Sequence, residues 1–274
     1  MEQTSPAILS LLSQTAPFLL TVFRLAGLFL FAPILTSSMV PVRYKAIMVF
    51  LLGAAVFPMI SVKIPVGMLP VDVITMVPLL VREAMIGFTI GLIASIPMLS
   101  LEMSGVIAGQ QMGLGLARVY NPDSDSEADV LGQMLYTIAL GGFLAGHGVE
   151  SMMDSVLETF STIPLGGVDC AMAPLSTVTA VLTAGFELAI RVTTPVSGAV
   201  LLMTIVLGVI GKTMPQINIM SIGFTFKIAI GLLALIFGLS AVGDATAEVL
   251  RDTMRTVETW AGSPRHTAEV QHGG

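Results

Sequence analysis

Between Glu2 and Arg43 the chain carries one charged residue, Arg24; the rest of that stretch is apolar, small or uncharged. Runs of this kind recur along the sequence, many near the ~20 residues that an α-helix needs to cross a hydrocarbon core. Backbone in such surroundings must satisfy its own hydrogen bonds, as helices or as a closed barrel. Strand-like alternation persists nowhere, so the expected fold is all-α.

Composition narrows the class further. Of 274 residues, 11% are charged and 54% hydrophobic, and the mean hydropathy is +0.91. Ordinary soluble domains carry about 25% charged residues, which argues against a soluble enzyme and against a disordered chain. The net charge is −6 and the 12 basic residues form no dense cluster. Phosphate backbones require such a cluster, so no nucleic-acid partner is expected. Cys170 is the single cysteine, which rules out an intrachain disulfide and a cysteine-based metal cage. Met1-Glu2-Gln3-Thr4 lacks the basic start of a signal peptide, and the N-terminus is expected to be retained.

The charge-free runs divide into about six long, kinked apolar helices arranged in hairpins. The first spans about 6–32, with a bend at Pro17. Arg43 and Lys45 mark a basic turn before a second helix at about 46–60, and Pro58, Pro65, Gly67 and Pro70 end it. The third run, about 71–116, contains Arg82, Glu83, Pro97 and Glu102. An acidic decapeptide, 120–129, then reads as a solvated loop. The fourth helix, about 130–160, ends with Glu150, Asp154 and Glu158 on one face. Pro164, Gly166 and Gly167 form a midpoint linker. A fifth helix runs from beyond Pro174 to about Met214 through Pro195, and a sixth from about Ile222 to Thr259. Residues 261–274 read as a polar, disordered tail. Arg43 and Lys45, Lys212 and Arg251 to Arg255 fall on no consistent side, so the positive-inside rule assigns no orientation. That failure implies helices that do not all cross a flat bilayer.

Glycines recur at helical spacing: Gly105, Gly109 and Gly113; Gly87 and Gly91, continued by Ser95; and Gly142 with Gly146. Faces of this kind let two backbones approach closely, inside the chain, between subunits or along a pore. The segment Gln110-Gln111-Met112-Gly113-Leu114-Gly115-Leu116 stands apart. Counting Gly109, three glycines in seven residues cost on the order of 1 kcal/mol each in helix propensity. Two amides lead in and a charged loop follows. Such a segment suits a movable constriction, and equally an ordinary helix C-terminus.

Charges inside apolar runs are costly and often functional. Glu187 and Arg191 are four apart in the order that lets them satisfy each other. Arg82 and Glu83 are adjacent and point to different faces, and Arg24, Glu102 and Lys227 lack local partners. They bind a proton or substrate, or meet other subunits; the second reading is favoured. Gly211-Lys212-Thr213 imitates the end of a phosphate loop, yet Val206 holds the place of its first glycine and no strand precedes it. His147 and Glu150 lack a third metal ligand. No nucleophile–base–acid set is present, so neither an enzyme nor a cofactor is expected. The abundant methionines suit surfaces that repack or seal.

Taken together, several segments resemble the FliR family of the bacterial type III export gate, whose injectisome members form a sister branch. They are 23–33 (Phe-Arg-Leu-Ala-Gly-Leu-Phe-Leu-Phe-Ala-Pro) with Val40 to Arg43, and Ala108 to Ala117 with Asn121-Pro122. Leu131 to Tyr136, Gly146-His147-Gly148, Ile163 to Gly166, and Met214 to Phe224 with Lys227 complete the set. The likeness covers about 7–259. Arg118 and Asn121 depart from the family, which has a small or uncharged residue at the first and Asp-Pro at the second.

The resemblance implies a passive gate subunit, one domain over 1–260. About 1–165 would be FliP-like and about 170–260 FliQ-like, with the 261–274 tail outside. It implies assembly with FliP and FliQ, FlhB as a neighbour at the cytoplasmic entrance alongside other export apparatus subunits, and contact with membrane lipid. Much of that assembly stands above the plane of the inner membrane, at the flagellar basal body. Unfolded flagellar proteins would pass through, and Gln110 to Asn121, with Arg118 and Tyr120, would help plug the closed pore. An injectisome gate is the first alternative. A stand-alone secondary transporter using Glu102, Glu187 and Arg191 near the bilayer midplane is the second.

Overall fold

The computed structural model describes residues 6–33, 41–61, 73–114, 130–166, 175–214, 216, 222–237, 251–252 and 255. Seven helices account for nearly all of them. They are α1 (Pro6–Phe31), α2 (Val42–Ser61), α3 (Val73–Met112), α4 (Val130–Ala145), α5 (Gly148–Thr162), α6 (Leu175–Thr213) and α7 (Ile222–Phe237). No strand occurs among the described residues, and the all-α expectation stands.

Proline does not stop these helices. Pro17, Pro58 and Pro195 lie inside α1, α2 and α6, and Pro97 lies inside α3. Each removes one ladder donor, and the long apolar runs on either side sustain the helix. Hydroxyl side chains are accommodated by bonding back to their own helix: Thr21 donates to the Pro17 carbonyl at 2.9 Å, Ser100 to Ile96 at 2.8 Å and Ser104 to Leu101 at 2.7 Å. A buried hydroxyl thereby costs the apolar interior no unsatisfied group.

The fourth expected helix divides in two. His147, in left-handed conformation at φ 58°, separates α4 from α5. Gly141, Gly142 and Gly146 weaken the helix approaching the break. A new ladder starts where the Ser151 N–H donates to the His147 carbonyl at 3.0 Å. The sixth expected helix is described as far as Phe237, with short helical pieces at 251–252 and 255. The acidic decapeptide, Gly167 of the midpoint linker and the 261–274 tail lie outside the described residues.

Contacts divide the chain into two compact units drawn from alternating stretches, so neither is a consecutive half. One holds α1, α2, the first part of α3, and α5. In it Phe18 meets the rings of Phe50 and Phe57 edge-on, with centroids 5.5 and 5.4 Å away. The other holds the rest of α3, α4, most of α6, and α7. In it α6 lays Gly185 against the side chains of Ile96 and Ser100. Thr193 also donates to the Ser104 carbonyl at 3.5 Å.

Four helical stretches are long and apolar enough to cross a membrane: Gln14–Phe31, Val42–Ile60, Ile74–Met112 and Val178–Thr213. The broken pair α4 and α5 makes a possible fifth, and α7 is a shorter apolar helix. The molecule is an all-helical protein of the integral membrane type.

Candidate functional site

Of the segment from Gln110 to Asn121, residues 110–114 are described; Gly115, Leu116, Arg118, Tyr120 and Asn121 lie outside the described residues. Gln110, Gln111 and Met112 form the last turn of α3, and the helix stops at Gly113, whose φ is 88°. The Gly113 N–H donates to the Gln110 carbonyl at 3.0 Å and the Leu114 N–H to the Gly109 carbonyl at 2.9 Å. This pair of bonds is the Schellman C-cap, which favours glycine at the left-handed position. Gly113 therefore ends a helix, and its cost in helix propensity is recovered at the turn. Gln110 and Gln111 are exposed, whereas Met112 is fully buried.

Met112 and Gly113 both rest on α7. A Cβ at Gly113 would lie 2.7 Å from Phe224 Cε2, and one at Gly231 would lie 2.7 Å from Met112 Cγ. Phe224 belongs to a segment that carried the family resemblance. Gly231 gave no sequence signal, because its role is an empty volume filled by a residue far away in the chain.

The glycine faces separate into two groups. Gly87 and Gly91 pack on α1: a Cβ at Gly87 would strike the Arg24 carbonyl oxygen and lie 2.7 Å from the Leu28 nitrogen, and one at Gly91 would lie 2.7 Å from the Leu28 oxygen. Gly27 reciprocates from α1, where a Cβ would lie 2.7 Å from the Ala84 carbonyl carbon. Gly105 meets Gly132 on α4, with Cβ to Cα at 2.6 Å. Gly142 and Gly146 make no close approach to another helix within the chain, and the readings between subunits and along a pore stay open for them. A Cβ at Gly142 meets nothing within 4 Å, and one at Gly146 meets only carbonyls of its own helix region, Gly142 and Phe143. Gly27 and Gly132 were absent from the expected packing set. The signal for Gly27 was its place three residues after Arg24, matched by Gly87 four after Glu83.

Beside the α1–α3 crossing lies a buried polar node. Arg24 Nε donates to Glu83 Oε2 at 2.6 Å, with side-chain exposures of 0% and 4%. Arg24 Nη1 donates to Thr159 Oγ1 at 3.2 Å, and Nη2 to the Ile163 carbonyl at 3.2 Å. The guanidinium also lies 4.4 Å from the Phe160 ring centre. The other Glu83 oxygen, Oε1, accepts from the Gly166 N–H at 3.0 Å, in a turn where Gly166 has φ 71°. One arginine thereby joins α1, α3, the end of α5 and the turn after it. The preference for other subunits as the partners of Arg24 and Glu83 is corrected here, because each satisfies the other within the chain. Sequence separation hid the pair: the two residues are 59 positions apart.

The remaining charges do not converge. Arg191 Nη2 donates to Glu187 Oε1 at 3.3 Å on the exposed face of α6. The opposite face, with Gly185, Leu188, Val192 and Thr193, is buried. Glu102 is half-buried on α3, with its carbonyl 3.0 Å from a Cβ placed on Gly132. Arg82 and Lys227 are half-buried on α3 and α7. Glu150, Asp154 and Glu158 form an exposed stripe on α5, and His147 Nδ1 lies 2.6 Å from Glu150 Oε2. Lys212 is exposed at the end of α6. Among the described residues, no three of His, Cys, Asp and Glu gather into a potential metal site.

Comparison with known proteins bears on this arrangement. The chain is 27% identical over 246 residues to the flagellar biosynthetic protein FliR of Bacillus subtilis (strain 168), covering 88% of this chain and 92% of that one. Against FliR of Escherichia coli (strain K12) the identity is 27% over 209 residues, with coverages of 76% and 78%. The surface presentation of antigens protein SpaR of Salmonella typhimurium is 24% identical over 220 residues, with coverages of 80% and 81%. The sequence profile of the bacterial export proteins, family 1, matches residues 15–253, from within α1 to beyond α7. That span takes in the capped end of α3, the α1–α3 crossing with its arginine node and the α7 contact, and the chain belongs to the bacterial export proteins, family 1.

Proposed function

We propose that this chain is a core subunit of the flagellar type III protein export gate, which with FliP and FliQ forms and seals the channel for unfolded flagellar proteins. FlhB is its expected neighbour at the cytoplasmic entrance, and the bacterial inner membrane at the flagellar basal body its site. The observation that carries this reading is the length and bareness of α6. Its apolar stretch, Val178–Thr213, has 36 residues, of which nine are buried within the chain. At 1.5 Å per residue such a helix measures about 54 Å, while the hydrocarbon core is about 30 Å thick. Helix tilt averages about 20° and does not absorb that excess. Lipid covers part of α6, and partner chains are needed for the rest. A stand-alone transporter does not account for this surface, and its three proposed residues do not meet: Glu187 and Arg191 lie on the face of α6 turned away from Glu102's helix.

The α3 terminus supports the sealing role. A glycine cap, with two exposed amides before it, delivers the chain into a sequence that has one more glycine, Gly115, and then a run of carboxylates. Replacing both Gly113 and Gly115 by valine is expected to misplace that segment. A β-branched residue at φ 88° is strained by on the order of 1–3 kcal/mol, and its Cβ would also press on Phe224. Secretion of hook and filament proteins should fall and the membrane should leak ions; normal secretion together with normal ion tightness would remove the segment from the gate.

The primary test is an in-frame deletion followed by assay of hook and filament proteins in the culture medium. Loss of both, restored by complementation, and co-purification of the chain with FliP and FliQ are the expected results. The SpaR relatives favour a second reading, an injectisome gate. It would be indicated by intact flagellar export and loss of injectisome effectors from the same medium.

A further inference from the structure

We infer that the surroundings of α6 change at Arg191: residues 192–211 lie against lipid acyl chains, and the turns before Arg191 stand outside the hydrocarbon. The boundary rests on the reading that lipid covers part of α6, and it is the same for a flagellar or an injectisome gate.

Two exposed cations bound the stretch. Arg191 and Lys212 are 21 residues apart with no charge between them, and both are exposed. At 1.5 Å per residue they stand about 32 Å apart along the helix, against about 30 Å for a hydrocarbon core. A cation at each edge complements the phosphate layers of the two leaflets, and long basic side chains reach outward to them. The three threonines in between bring no unmet hydroxyl into the apolar zone. Thr193 and Thr194 donate to the Ala189 and Ile190 carbonyls at 2.8 and 2.7 Å, and Thr204 donates to the Val200 carbonyl at 2.8 Å.

The two parts of α6 present different surfaces. Before Arg191 the helix is two-faced. Val181, Gly185, Leu188 and Ala189 are buried, and Gly185 packs on Ile96 and Ser100 of α3. Thr179, Thr183, Glu187 and Arg191 recur at every fourth position, all exposed, as a polar stripe. Such a stripe suits water or a polar partner surface and is costly in hydrocarbon. From Val192 to Val200 one face stays buried, and the other has lost its charges. Beyond Val200 the helix is bare on nearly every side. From Leu201 to Thr213 only Leu207 is buried, against Gly223 of α7, whereas Leu201, Leu202, Ile205 and Val209 are between 57% and 66% exposed. A helix that is apolar round its circumference fits a medium that is apolar on all sides, while a single partner helix covers one face. Lys227, the one charge of α7, does not contradict this. It lies four residues from both Gly223 and Gly231, which back onto Leu207 and Met112, and so it is turned inward, as a charge at membrane depth has to be.

The test keeps the full chain in the assembled complex, in native membranes carrying a phospholipid with a photoactivatable diazirine in its acyl chain. After irradiation the chain is isolated by a tag and its peptides are mapped by mass spectrometry. Adducts should fall within 192–211 and be scarce or absent within 179–190. Equal labelling of the two stretches, or no labelling within 192–211, overturns the boundary. Substitutions then separate lipid from a protein partner. Leu202→Trp should leave the amount of complex as in wild type, because fluid acyl chains make room for a larger apolar side chain. Leu202→Arg should lower the amount of chain in the membrane by about tenfold or more. Phe186→Arg, at an exposed position beside Glu187, should leave it unchanged. A loss in Leu202→Trp as deep as in Leu202→Arg would put a close-packed partner on this face and overturns the inference, as does an equal loss in Phe186→Arg. Hook protein in the medium of the parent strain is measured alongside, so a failed boundary is distinguished from a failed export reading.

Discussion

Arg24→Ala is expected to destabilise the chain by about 3–5 kcal/mol, among the largest effects of any single side-chain truncation in it. The substitution leaves the buried Glu83 carboxylate without its cation and empties the space against Phe160. It also frees Thr159 and the Ile163 carbonyl, so the end of α5 and the 163–166 turn lose their tie to α1. Thermal unfolding of the detergent-purified assembly and steady-state abundance of the chain both read this loss. Replacing both charges together, Arg24→Met with Glu83→Leu, should recover much of it, because a buried ion pair replaced by apolar side chains of similar volume is often close to neutral. Equal loss in the single and double variants would show that the hydrogen bonds to Thr159 and Ile163 matter more than the pair. Arg24→Lys should fall between, since an ammonium keeps the charge and loses the planar fork that reaches three partners at once.

Gly87→Ala should be comparably damaging, and the same change at Gly142 should not. At Gly87 the new Cβ would strike backbone, the Arg24 carbonyl oxygen and the Leu28 nitrogen, so no rotamer change relieves it. The α1–α3 crossing would have to open, at a cost of about 1–3 kcal/mol or more, and opening it pulls Arg24 away from Glu83. At Gly142 nothing lies within 4 Å, and alanine improves helix propensity by up to about 1 kcal/mol. Chain abundance and melting temperature should drop for the first and hold or rise for the second. A loss of partner co-purification confined to Gly142→Ala would locate a neighbouring subunit against the exposed face of α4.

These contrasts show where local pattern was informative. The helix at 73–112 was legible from its long apolar run despite Arg82, Glu83 and Glu102, and α6 from the apolar residues on either side of Pro195, because helix formation in apolar surroundings depends on neighbours along the chain. The break at His147 was less legible. Gly-His-Gly was visible, yet whether the chain bends there depends on which side of each helix finds a packing surface. The glycine spacings were visible as well, though Gly87 and Gly142 look alike until their neighbours are known.

The sequence by itself determined the class of the molecule: too few charges for a soluble surface, helices throughout, and family membership through motifs spread along the chain. Tertiary structure alone decided which residues act together. Arg24 reaches Glu83 and Thr159, and Gly113 meets Phe224, across separations that composition and periodicity do not encode. The reason is physical. Helix formation is governed by interactions three and four residues apart, whereas the cost of burying a charge, or of filling the space a glycine leaves, depends on whichever distant atoms the fold brings within a few ångströms.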